Sequence, residues 1–223
     1  AFCRFLSAVD GAVSSAMLAE FGVLTSLGSL LQGADEELLH LTLESLCVIV
    51  RLCPTAMVSV GDSLCALILE IWRRSSNDPL VHLQVLDLVS TAAAGDPLLQ
   101  RAMEERLTPA VLADLQPGVD PVITASAVEL YGVLLKRAAL PLCAQLWDCA
   151  APLLDVVLRS DESRLLQNSC ESLVCLVRRA PTDLVDRGLL ERLLRGLEHL
   201  LGPDLDDDAC LFVGPFAMLL LAQ

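Results

Sequence analysis

Four carboxylates recur in phase along this chain: Glu44, Asp87, Glu129 and Glu171, at intervals of 43, 42 and 42 residues. Each is set among apolar residues and followed by a proline, ten positions on at Pro54, Pro97 and Pro181 and twelve on at Pro141. No base or nucleophile recurs with them, so the chemistry they offer is electrostatic. Aligned on one surface, they would attract a basic partner and raise its association rate. The alternative is that each pairs with an arginine or a backbone donor in the adjoining repeat, as its apolar flanks suggest. A second acidic group, Asp204, Asp206, Asp207 and Asp208, also has two readings. It could grip a basic tail, or it could open a helix, whose dipole favours negative charge at that end. The formal charge of −14 over 223 residues argues for basic protein partners and against nucleic acid or anionic membrane.

Other chemistries find no residues to carry them. The sequence has no GxSxG, no P-loop and no dinucleotide fingerprint, so neither an enzyme nor a cofactor is expected. Its nine cysteines form no CxxC and no zinc-ligand spacing with histidine, so no metal is expected. Cys47, Cys53, Cys170 and Cys175 lie in apolar helical patterns, where a free thiol acts as a small hydrophobe. That usage fits a reducing compartment, cytoplasm or nucleus. His40, His82 and His199 stand apart beside solvent-type residues and read as surface or rim positions. Trp72, followed by Arg73 and Arg74, reads as core, with an exposed hook for a partner as the alternative. The longest charge-free runs, Phe21–Ala34 and Ala209–Gln223, are too short to span a bilayer.

These residues must be positioned by a repeated element. Aspartates Asp35, Asp78, Asp120 and Asp161 precede the four carboxylates by nine or ten residues, and each should lie within two residues of a helix start. A period of this length belongs to the HEAT/armadillo class of helical repeats. The expected fold is an all-α, right-handed α–α superhelix of about five helix pairs. It runs continuously over 1–223, with repeats near 14–53, 55–92, 97–138, 142–179 and 183–222. In Glu36–Cys53 the residues Leu39, Leu43, Leu46, Val50 and Cys53 form one apolar stripe, broadened by Leu38, Leu41, Val48 and Ile49. First helices are expected over Met57–Arg74 and Leu142–Arg159. Thr108-Pro109 should split one helix, and Pro215 should bend the last. The apolar, uncapped ends read as a segment of a longer array.

LESLCVIV at Leu43–Val50, SNDP at Ser76–Pro79 and QNSCESL at Gln167–Leu173 resemble the β-karyopherins, the importin-β family of HEAT-repeat nuclear import receptors. LLGP at Leu200–Pro203 and FVG at Phe212–Gly214 continue the likeness in order, most closely to the middle of its importin-nine branch. Ser169 and Cys170 stand where that branch has glycines, and Pro215 where it has arginine. The resemblance implies a carrier that shuttles between cytoplasm and nucleus without catalysis. Its basic cargo would include core histones and ribosomal proteins, and it would engage Ran in its GTP form and phenylalanine-glycine nucleoporins. A HEAT-repeat scaffold of a multi-protein complex, with no transport role, is the alternative.

Overall fold

The computed structural model describes residues 36–75, 78–180 and 187–202, with the single positions Gly22, Ser26, Ser29, Gly214, Pro215, Ala217 and Met218. Among them are ten helices and no strand. They are α1 (Glu36–Leu52), α2 (Pro54–Val58), α3 (Gly61–Arg74), α4 (Pro79–Gly95) and α5 (Pro97–Asp114). There follow α6 (Pro121–Arg137), α7 (Ala144–Asp148), α8 (Ala150–Arg159), α9 (Ser163–Arg179) and α10 (Arg187–Leu200). Packing divides the chain into two compact units, with the division in sequence between Leu107 and Thr108, within α5.

In unit 1, α1 lies against α4, and α3 also packs on α4. The stripe Leu39, Leu43, Leu46, Val50 and Cys53 is buried as its spacing requires, together with Ile49. Leu38 and Leu41, however, face outward, so the buried face of α1 is narrower than expected. Val81, Val85, Leu88, Val89 and Ala92 supply the matching face of α4. A Cβ at Gly95 would come within 2.7 Å of the Pro54 ring, so the end of α4 meets α2 only because that residue has no side chain. In unit 2, α6 lies against α9, and α8 packs on both α9 and α10.

Acidic caps set the starts of the second helices. Leu80 and Val81 donate backbone N–H groups to Asp78 at 2.9 and 3.1 Å, and Pro79 occupies the first helical position. Val122 donates likewise to Asp120 at 2.8 Å. Such a cap contributes about 1 kcal/mol. At α9 the cap is Glu162 rather than Asp161, accepting from Arg164 and Leu165 at 3.2 and 2.7 Å. Asp161 still lies two residues before that helix. Asp35, by contrast, falls outside the described residues, as do the hydrogen bonds that would decide the bend at Pro215.

The first helices differ from expectation in two ways. Met57–Arg74 and Leu142–Arg159 are each broken, into α2 and α3 and into α7 and α8. Every break frees carbonyls, and hydroxyls take them up: Ser59 donates to Ala56 at 2.9 Å, and the buried Tyr131 to Leu146 at 2.6 Å. Conversely, α5 is unbroken, with Pro109 inside it. A proline there costs about 3 kcal/mol. Leu99, Met103, Leu107, Val111 and Leu115 are buried at every fourth position on both sides of it. At about 1.5–3 kcal/mol per buried side chain, that stripe outweighs the proline. The described repeats are therefore three-part, a short helix and two longer ones, with short and first helix fused in α5.

Candidate protein-interaction face

The four recurrent carboxylates sit on the second helices α1, α4, α6 and α9, but their surroundings differ. In unit 1 the register of α1 against α4 is fixed by polar ties. His40 Nδ1 lies 2.8 Å from Gln84 Oε1, and His40 Nε2 lies 3.9 Å from Asp78. With the buried stripe turned inward, α1 presents Leu38, Leu41 and Glu44, and α4 presents Leu80, Leu83 and Asp87. Spacings of three and four residues keep each set on one helix face. Leu41 is 60% exposed, Leu80 64% and Leu83 61%. Glu44 is exposed and makes no ion pair among the described residues. Asp87 meets Arg51 only at 4.0 Å, with both side chains largely in solvent. Beneath them, burial and then the Asp87 carboxylate push the Cys47 thiol up to about 12.

In unit 2 one carboxylate is compensated by a cation and the other is held by a neutral amide. Arg164 Nη2 donates to Glu129 Oε1 at 2.7 Å, with Asn168 Nδ2 at 3.5 Å. Glu171 is exposed but accepts from Gln167 at 3.0 Å. Arg164 occupies a telling position. Leu38, Leu80, Val122 and Arg164 are spaced by 42 residues, so a cation replaces the apolar residue found in the other repeats. The sequence held this signal, and reading the carboxylates alone missed it.

Further arginines tie successive helices of unit 2. Arg159 donates to Leu115 O at 2.8 Å, and Arg179 donates to Leu135 O. Each satisfies a carbonyl at a helix end in the preceding repeat. Arg192 reaches Asp155 at 2.6 Å and Ala151 O at 3.1 Å, and His199 Nε2 lies 3.1 Å from Ser160 O. Thus Glu44 is open and Asp87 only loosely paired with Arg51 of the preceding second helix, whereas Glu129 is held at hydrogen-bond distance by the next one. Asp204, Asp206, Asp207 and Asp208 lie outside the described residues.

Trp72 is core. Its ring stacks on His82 with centroids 4.1 Å apart and planes 8° from parallel. His82 is accordingly buried rather than at the surface, because the indole supplies a flat apolar partner for the imidazole. His40 and His199 are half-buried helix ties. Seven described cysteines are free thiols, and only Cys175 among them is not fully buried. Among the described residues no cluster of His, Cys, Asp or Glu could hold a metal ion, and no helix is long and apolar enough to cross a membrane.

No family model matches the chain. Designed repeat proteins are among the solved structures similar to it. A designed armadillo repeat protein in complex with the peptide (KR)4 superposes with a TM-score of 0.60 at 14% identity, covering 98% of this chain and 91% of its own. Computationally designed armadillo repeat proteins for modular peptide recognition give 0.57 at 16%, covering 97% and 91%. Another designed armadillo repeat protein gives 0.56 at 16%, covering 98% and 91%. At such identities the likeness establishes the fold, an all-α repeat array of armadillo/HEAT type, and the three-part repeats agree with it.

Proposed function

We propose that this chain is a protein-binding segment of a nuclear transport receptor of the importin-β family, of importin-nine type. In this reading it carries basic cargo such as core histones and ribosomal proteins, and it shuttles between cytoplasm and nucleus. Ran in its GTP form and phenylalanine-glycine nucleoporins are the proposed regulatory and pore partners. The observation that carries the reading is the outward face of unit 1, where exposed Glu44 and the loosely paired Asp87 stand beside Leu38, Leu41, Leu80 and Leu83. Carboxylates next to exposed leucines suit a segment bearing both cations and apolar side chains, and exposed apolar patches mark interaction surfaces. The colinear family motifs and the net charge support the same reading, as does a fold shared with a designed protein holding a (KR)4 peptide.

A second reading, a fixed structural scaffold, draws on the arginine ties of unit 2, which hold helices together and leave less free charge. Pull-down of the full-length protein with Ran locked in its GTP state separates the two. Capture of Ran, with release of a bound core-histone dimer, is expected of a transport receptor. No capture would leave the scaffold reading.

A further inference from the structure

In unit 2 the second helices end on cations: Lys136 and Arg137 close α6, and Arg178 and Arg179 close α9. Helix C-termini carry partial negative charge, which favours cations there. Between the two ends lies a groove of about 650 Å³, within the size range of ligand clefts. Lys136 and Arg178 are exposed on it and make no ion pair or hydrogen bond among the described residues. Arg179 also borders it, with one guanidinium nitrogen committed to Leu135 O. Glu171 is the one carboxylate among the described lining residues, held by Gln167. Buried Cys170 and Val174, with Cys175 and Pro215, make the rest of the lining apolar.

We propose that this groove docks an acidic segment of a partner protein that also bears apolar side chains. Its carboxylates face Lys136 and Arg178, and its apolar side chains cover Val174 and Cys170. Three cations against one carboxylate among the described lining residues make this a positive site on a chain of net charge −14, so it repels the basic partner suited to unit 1. Inorganic phosphate fits it less well. It leaves the apolar lining uncovered.

The probe is a fluorescein-labelled peptide of alternating Asp and Leu, titrated onto the 223-residue chain by anisotropy. Lys136→Glu with Arg178→Glu should weaken binding about tenfold, since two attractions become repulsions. Arg73→Glu, at an exposed cation outside the groove, should leave it unchanged, and an Asn–Leu peptide should bind far more weakly. In the unmodified chain, peptide at about twice its Kd should slow iodoacetamide alkylation of Cys175 about threefold, while phosphate should not. That arm stands even if the double variant fails to fold. Equal binding of the Asn–Leu peptide, undiminished binding by a folded double variant, an equal loss in Arg73→Glu, or protection of Cys175 by phosphate or by a Lys-Arg peptide would overturn the proposal.

Discussion

The outward faces of the second helices in the two units answer differently to the same repeat pattern. In unit 1, α1 and α4 present leucines and carboxylates with little compensation. In unit 2, Glu129 is held by Arg164 at 2.7 Å, and the cations beyond it gather round a groove. The difference begins with one substitution in the repeat, Arg164 at the position of Leu38, Leu80 and Val122. A carboxylate at a fixed repeat position is therefore not by itself a partner-binding residue. What it does depends on the side chain about 35 residues further on.

The comparison breaks first on packing. Unit 1 joins α3 to α4 through the Trp72–His82 stack. Trp72→Ala should cost about 3–5 kcal/mol, read as a lower urea midpoint. A loss below about 1 kcal/mol would mean that the stack is not core.

Buried thiols in both units give a pH signature of intermediate size. Cys47 and Cys65 in unit 1, and Cys149 and Cys170 in unit 2, are pushed from 9.0 up to about 12, chiefly by burial. For an acid whose folded pKa is raised, the unfolded chain ionises first. The thiols' stabilising contribution is full below pH 9.0 and is lost as pH rises toward about 12. Melting temperature should be insensitive to these thiols from pH 7 to 8.5 and fall above pH 9. Cys→Ala at Cys47 and Cys170 should each reduce the alkaline slope, and an unchanged slope would count against burial as its cause.

The smallest effect sharpens the contrast most. A double-mutant cycle on Glu129 and Arg164 should show coupling of up to about 1 kcal/mol, limited because Arg164 is largely exposed. The same cycle on Asp87 and Arg51, 4.0 Å apart, should show coupling close to zero. Equal couplings would erase the distinction between the units.

Much of the fold was legible because it rests on local chemistry. Asp78 and Asp120 announce their helices by capping, and the stripe from Leu39 to Cys53 announces its buried face. Proline at Pro109 misled because local propensity lost to burial of Leu107 and Val111. The breaks after α2 and α7 were hidden because apolar periodicity continues across them. Their hydroxyl partners are set by tertiary packing, as Tyr131 donating to Leu146 shows. Leu38 and Leu41 read as core since leucine is usually buried, yet helix phase turns them outward with Glu44. The groove of unit 2 was not foreseen. Its cations lie at helix ends far apart in sequence, and only the packing of α6 on α9 brings them together.

Association kinetics of a fluorescein-labelled (Lys-Arg)4 peptide test the central claim, that the open face of unit 1 receives a basic partner. Two variants remove the same charge: Glu44→Gln with Asp87→Asn, and Glu129→Gln with Glu171→Gln. Stopped-flow rates at low and physiological salt should fall about three- to tenfold for the first variant, more so at low salt, and change less than about twofold for the second. Thermal melts run alongside should show the first variant unaltered and the second slightly less stable. Equal slowing by both variants, or slowing by the second alone, would contradict the account.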